Sequence, residues 1–297
     1  MIFLNKVKKL WFNTSAERIL ALCNYSILYN KLEENALFST KSGINKESEL
    51  IVSLTTYSKF INQVHITIES LMEQTVKPKT IILWISNEYK DSEIPLILKN
   101  LTKRGLEIRK TNDIRSYKKI IPALKEFPNN PIITCDDDLI YPYDTIESLY
   151  NAYQQDKSKI YFRRGHRMIL KTESEFVSYN DFEWEIQNLE PSIFNFPTSG
   201  AGTLYPPNTL DPEVFNENKF LTLAPFADDV WLKAMALKKG TECRKVYTQT
   251  PCYIELDLLH KNSKIRLNSG NVKQNKNDVQ IKAVWDEYNL WNRYKNT

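Results

Sequence analysis

Apolar residues in this chain fall into short continuous runs separated by stretches of helical period. Leu50 to Thr55, Thr80 to Ser86 and Ile132 to Cys135 are near-continuous apolar runs. Such runs mark strands buried on both faces, as in a parallel sheet. Between the first two, Phe60 to Gln74 carries Ile61, Val64, Ile68, Leu71 and Met72 at helical spacing. Lys77-Pro78-Lys79 then turns the chain into the next strand. Ile94 to Arg104 reads as a helix ended by Gly105, and Leu106 to Arg109 as a short strand. Tyr117 to Phe127 reads as a helix with Pro122 in its first turn, and Ile146 to Tyr153 as a helix after the fourth strand. This alternation predicts a doubly wound α/β sheet, with ligands bound beyond the carboxyl ends of its strands.

The remainder is less regular. Residues 1–46 predict a separable helical extension, and residues 47–297 a main domain with halves at 47–142 and 143–297. Within the extension, Glu17 to Leu32 carries Ile19, Leu20, Cys23, Ile27 and Leu28 at helical spacing. Phe3, Val7, Leu10 and Trp11 share a face beside Lys6, Lys8 and Lys9. A short basic helix of this kind suits either its own domain or peripheral contact with an anionic membrane. Farther on, Lys159 to Leu170 predicts one strand carrying Arg163, Arg164, His166 and Arg167. Thr198 to Pro207 reads as a glycine-rich loop with a strand-like exit. Ala227-Asp228-Asp229 opens a helix reaching Lys239 and capped by Gly240. Glu242 to Gln249 reads as a strand, 262–278 as a loop, and Asp278 to Tyr288 as a last helix.

Composition narrows the field. Hydrophobic residues make up 42% and charged residues 26% of the 297, as in an ordinary soluble globular protein. A formal charge of +4 is too small an excess to imply nucleic acid. Cys23, Cys135, Cys243 and Cys252 form no C-x-x-C pair and no zinc spacing, which fits a reducing, cytoplasmic setting. No uninterrupted apolar run approaches the about 20 residues that span a bilayer. Met1-Ile2-Phe3-Leu4 runs at once into Asn5 and Lys6, unlike a signal peptide.

The chemistry concentrates at Asp136-Asp137-Asp138, directly after the strand Ile132 to Cys135. Three adjacent carboxylates repel one another, so a buried strand feeding them implies a cation. In extended backbone, Asp136 and Asp138 point the same way and converge on one divalent ion. Hard carboxylate oxygens suit Mg²⁺ or Mn²⁺, which also bind nucleotide phosphates. The plainer alternative is a solvated acidic turn.

These features resemble the nucleotide-binding half of a GT-A glycosyltransferase, close to the family 2-like group of bacterial surface polysaccharide and lipooligosaccharide assembly. Thr67 to Pro78 is similar to that group's first helix and its turn into the second strand. Asp136-Asp137-Asp138 stands where such enzymes carry D-x-D, and Ala227-Asp228-Asp229 resembles the acidic pair opening their acceptor-side helix. The resemblance implies a GT-A fold and a nucleotide-sugar donor, with a UDP-sugar first among the candidates. It implies a glycan or lipid-linked oligosaccharide acceptor. It places the metal on Asp138 and Asp136, and the base of an inverting reaction on Asp229 with Asp228 beside it. Helix capping is the structural alternative for that pair, although a cap needs one Asp, not two. Asp136, Asp137, Thr55 and Asn87 fall to the donor. Family 2-like enzymes end their second strand in acidic residues, where this chain has Ile85-Ser86-Asn87-Glu88. Arg163 and Arg167 suit a diphosphate or an anionic acceptor, or else a solvated basic strand. His260 is a candidate third metal ligand. Trp184, Trp231 and Tyr205 are candidates for stacking on sugar rings. Lys118 and Lys119 are within reach of a phosphate by position after Asp113, but read first as ordinary surface lysines.

Two other readings compete. An Asp-based phosphotransferase or phosphatase carries D-x-D-x-T, but the last position here is Ile140. A non-catalytic glycan-binding module would not need both acidic sites.

Overall fold

The computed structural model describes residues 15–256 and 276–294. Its first half follows the apolar runs. Helix α1 (Ser15–Phe38) leads into β1 (Ile51–Thr55), α2 (Val64–Met72), β2 (Thr80–Ser86) and α3 (Leu96–Leu101). Then come β3 (Leu106–Thr111), α4 (Ile121–Glu126) and β4 (Ile132–Cys135). Pro122 lies in the first turn of α4, where its missing N–H breaks no helical bond. Gly105, at φ 113°, ends the helical stretch after α3 in the left-handed region that favours glycine.

The second half holds β5 (Leu139–Ile140), α5 (Thr145–Gln155), β6 (Ile160–Phe162), β7 (Gly165–Arg167), β8 (Leu170–Thr172) and β9 (Glu175–Phe176). It continues with β10 (Asn195–Pro197), β11 (Ala201–Tyr205), α6 (Glu217–Leu223), α7 (Asp228–Lys239), β12 (Cys243–Lys245), β13 (Ile254–Glu255) and α8 (Lys276–Glu287). The central sheet has seven strands in the order β12-β6-β11-β4-β1-β2-β3. All its pairings are parallel except those of β11, which runs antiparallel between β4 and β6. The fold is therefore a mixed, mainly parallel α/β sheet. From β1 the chain steps outward to β2 and β3, then returns to the other side as β4. The carboxyl ends of β1 and β4 thus form the switch point where such sheets bind ligands. Asp136-Asp137-Asp138 and Thr55-Thr56 stand there.

Two predicted elements differ, and one helix is unpredicted. Lys159 to Leu170 is not one strand, because β6 ends at Phe162 and β7 pairs with β10 in a separate two-stranded sheet. Glu242 to Gln249 is strand only over β12, and α6 has no counterpart in the apolar pattern. On α1, Tyr25, Leu32 and Ala36 are the buried side chains, while Ile19, Leu20 and Ile27 are exposed. The basic stretch around Trp11, His260 and most of the 262–278 loop lie outside the described residues. No described helix is long and apolar enough to cross a membrane.

A buried ion pair clasps α1, α2 and the end of α3 together. The Arg104 guanidinium donates to both oxygens of Glu69, at 2.6 and 2.9 Å. It also donates to the carbonyls of Asn35 and Lys41. Glu69 is wholly buried, so losing Arg104 strands a carboxylate in apolar surroundings. Arg104→Met is expected to lower the unfolding free energy by about 3 kcal/mol. Adding Glu69→Gln should restore part of it in urea denaturation, and an unchanged loss in the double variant would contradict the clasp.

Candidate active site

Lys119 organises the site. It ends a short 3-10 turn, Arg115–Lys119, and its carbonyl accepts the Ser53 hydroxyl of β1 at 2.6 Å. Its side chain is buried, and the Nζ lies 2.8 Å from Asp136 Oδ1 and 3.0 Å from Asp228 Oδ2. One ammonium thus joins the acidic turn after β4 to the acidic start of α7. Burial disfavours the Lys119 charge, but Asp136, Asp228 and Asp229 outweigh it and hold its pKa well above the lysine range.

The turn between β10 and β11 closes the same space. Asp136 N–H donates to the carbonyl of Gly200 at 3.2 Å and to the Tyr141 hydroxyl at 2.7 Å. The Tyr141 hydroxyl in turn donates to the Gly200 carbonyl. A Cβ on Gly200 would fall 1.7 Å from Asp136 Oδ2, so only glycine leaves room for that carboxylate. Ser199 reaches the other acidic pair. Its N–H donates to Asp229 Oδ1 at 2.8 Å and its hydroxyl to Asp228 Oδ2 at 3.0 Å.

Asp228 and Asp229 are the first residues of α7, whose N-cap is Ala227. Their oxygens meet Lys119 and Ser199, so capping does not account for the pair. Burial opposes ionisation of Asp228, yet Lys119 and the nearby hydroxyls hold its carboxyl below the usual range. Burial and the Asp228 charge push Asp229 up to about 6. Two neighbouring carboxylates have thus been driven apart, one fixed as the anion and the other set to exchange a proton near neutrality.

The rest of the triplet divides its labour. Asp137 accepts the Thr56 hydroxyl at 2.5 Å and is pushed up to about 6, by burial first and the Asp136 charge after it. It anchors the turn to the end of β1. Asp136 keeps a side chain 43% exposed, and Asp138 is half-buried two residues on. No group of three or more His, Cys, Asp or Glu side chains converges among the described residues. A metal shared with a diphosphate needs only one or two protein carboxylates, and Asp138 and Asp136 are the ones that would hold Mg²⁺ or Mn²⁺ in that mode.

The other assigned residues have partners outside the Lys119 network. The Thr55 hydroxyl donates to the Trp84 carbonyl at 2.8 Å. Asn87 is exposed at the carboxyl end of β2 and donates to Asn112 Oδ1 at 2.9 Å. Arg163 is wholly buried, its guanidinium held by Asp144, Ser148, Thr250 and the Pro251 carbonyl. It braces α5 against the chain after β12 and has no surface to offer a diphosphate. Arg167 lies on β7, its guanidinium 5.2 Å from the Phe194 ring centre. Trp231 and Tyr205 are core residues, whereas Trp184 is 40% exposed. A hollow of about 450 Å³ opens beside α5, bordered by Tyr143, Asp144, Glu147, Arg244 and Tyr247, but none of Asp136, Asp137, Asp138, Asp228 or Asp229 lines it.

Known proteins give limited company. No family model and no curated protein matches the chain. Among solved structures, it is similar to the crystal structure of S. aureus TarS 1-349, with 13% identity and a TM-score of 0.44 over 82% of each chain. It is also similar to that of S. aureus TarS 1-349 in complex with UDP-GlcNAc. There the identity is 14% and the TM-score 0.43, covering 69% of this chain and 57% of the other.

The Lys119 bridge makes a distinct prediction. Lys119→Met leaves Asp228 buried without its cation and should lower stability by about 3 kcal/mol. Asp228→Asn in that background should cost less than in wild type, giving a coupling energy in a double-mutant cycle. Additive losses would show that the two groups do not interact.

Proposed function

We propose that the chain is a glycosyltransferase of GT-A type that moves a sugar from a nucleotide-sugar donor, a UDP-sugar in the first instance, to a bacterial surface glycan. The acceptor is a glycan or lipid-linked oligosaccharide, and the basic N-terminal stretch suits peripheral contact with the membrane that carries it. The observation that carries this reading is the single ammonium of Lys119 holding the acidic turn of the switch point against the acidic start of α7. A glycosyl transfer needs a site for the departing diphosphate and a base for the attacking hydroxyl within one cleft.

In this reading Asp138 and Asp136 would hold Mg²⁺ or Mn²⁺, which would supply positive charge to the leaving diphosphate. Asp229 accepts the proton of the acceptor hydroxyl. The freed oxygen forms the new bond to the anomeric carbon as the bond from that carbon to the diphosphate oxygen breaks. The nucleoside diphosphate departs with the bonding pair, and attack opposite the leaving group inverts the anomeric centre. Ser199 orients the base through its N–H, and Asp228, held ionised by Lys119, keeps that base from being too acidic to accept a proton.

Incubation with a panel of nucleotide sugars and a lipid-linked glycan extract tests this through released nucleoside diphosphate. Wild type should turn over one donor, with a rate that rises with pH through about 6 as Asp229 loses its proton. Asp229→Asn should lose about 10³-fold in rate. The same residue makes a stability prediction. The folded pKa of Asp229 lies above its unfolded value of roughly 3.9. The folded chain therefore keeps a proton that the unfolded chain releases between about pH 4 and 6, and stability falls as pH rises through that window. Asp229→Asn should accordingly raise Tm at neutral pH, with the gain shrinking as pH falls from about 6 to about 4. Full activity in Asp229→Asn, or phosphate release from a simple ester in place of sugar transfer, would overturn the proposal.

A further inference from the structure

Among the described tryptophans only Trp184 presents its ring to solvent. It is 40% exposed, whereas Trp84, Trp231, Trp285 and Trp291 are at most 8% exposed. The ring is nevertheless fixed. Its Nε1–H donates to the Asn180 carbonyl at 3.1 Å, and its inner side meets His166 at 4.3 Å between ring centres and Tyr179 at 5.7 Å. The backbone on either side is stapled to β7, through paired bonds between Glu183 and Arg167 and a bond from Ile186 N–H to Gly165. An apolar ring held this firmly at the surface has lost little freedom that binding would otherwise remove.

The next residue is strained. Glu185 has φ 51°, a left-handed conformation that a non-glycine residue adopts only when its surroundings impose it. Buried His166 imposes it here, its Nδ1 accepting the Glu185 N–H at 3.1 Å. The result aims the Glu185 carboxylate at Arg164, whose Nε donates to Oε1 at 3.0 Å. The Arg164 guanidinium carbon lies 6.0 Å from the Trp184 ring centre. Ring, guanidinium and carboxylate thus stand together as one patch with mutually neutralised charge.

That patch connects directly to the candidate base. Arg164 Nη1 donates to Thr198 Oγ1 at 3.2 Å, and the next residue, Ser199, donates its N–H to Asp229. Tyr179, edge-on to Trp184, has its phenol pKa raised, by burial first and then by the Asp229 carboxylate. The patch and the base therefore lie on either side of the same two-residue link.

We infer that Trp184, Glu185 and Arg164 form a subsite for a neutral pyranose of the acceptor, the sugar's C–H face stacking on the indole and its hydroxyls bonding to the Glu185–Arg164 pair. The ion pair favours neutral hydroxyls over an anionic sugar, because the guanidinium already has its carboxylate. This deepens the transferase reading and rests on Asp229 being its base. It assigns a role to the residues around His166 that the transfer chemistry leaves unexplained.

Trp184 serves as an optical reporter in the full-length protein when its signal is taken as the difference between wild type and Trp184→Leu, since Trp11 lies outside the described residues. Neutral methyl glycosides of glucose, galactose and N-acetylglucosamine, and their disaccharides, would be titrated against tryptophan emission and its quenching by acrylamide. Methyl glucuronide serves as the charged counterpart, and UDP binding is followed separately by calorimetry. At least one neutral glycoside should shift the emission and shield it from acrylamide. Trp184→Leu and Glu185→Gln should each weaken that glycoside about tenfold by calorimetry while UDP binding stays unchanged. Equal affinity in Trp184→Leu and wild type, or binding of the glucuronide alone, would overturn the subsite. A neutral-sugar response at Trp184 in a protein that binds no nucleotide would uphold the subsite and sink the transferase reading instead.

Discussion

Five aspartates, at positions 136, 137, 138, 228 and 229, stand in two short runs linked through Lys119 at the carboxyl edge of one sheet. Taking any one of those charges out of water costs several kcal/mol unless a partner compensates it. Lys119 supplies that partner for two of them at once, from a buried position between the halves of the fold. Its ammonium holds Asp136 and Asp228 at close quarters, and burial together with the charge on Asp228 pushes Asp229 up to about 6. The electrostatic character of both acidic sites follows from that one cation.

The sheet is arranged so that this cation can be reached from both sides. β1 delivers Ser53 to the Lys119 carbonyl and Thr56 to Asp137. β11, running against its parallel neighbours, brings the Ser199-Gly200 turn to the end of β4. Gly200 gives Asp136 the space it occupies, and Ser199 fixes both carboxylates of α7. Asp137, the middle residue of the triplet, serves this scaffold and not the cleft. A pattern that looks like three equivalent acids is thus one anchor, one carboxylate paired with Lys119 and one half-buried neighbour.

Much of this was legible in the chain because it depends on local pattern. Continuous apolar runs gave β1, β2 and β4, helical spacing gave α2 and α5, and Asp136 to Asp138 stood out because nothing local neutralises them. What escaped depends on contacts far apart in sequence. Lys119 looks like any lysine beside Lys118, since its partners lie 17 and 109 residues away. Arg163 looked like a ligand-binding arginine because its four internal partners come from α5 and from the chain after β12. The antiparallel placement of β11 cannot be read from five apolar residues, and the break between β6 and β7 occurs within an unbroken strand-like pattern. Trp184 shows the same limit from the other side, since its spacing is ordinary and its exposure is set by the folded surroundings.

The central claim is that this edge of the sheet holds a nucleoside diphosphate against the acidic turn. Thermal unfolding with a panel of nucleoside diphosphates, with and without Mn²⁺, in wild type and in Asp138→Ala, tests it most directly. The account predicts a rise in Tm with one nucleotide, larger when Mn²⁺ is present and lost in Asp138→Ala. No rise with any nucleotide in a well-folded protein, or an undiminished rise in Asp138→Ala, would contradict it.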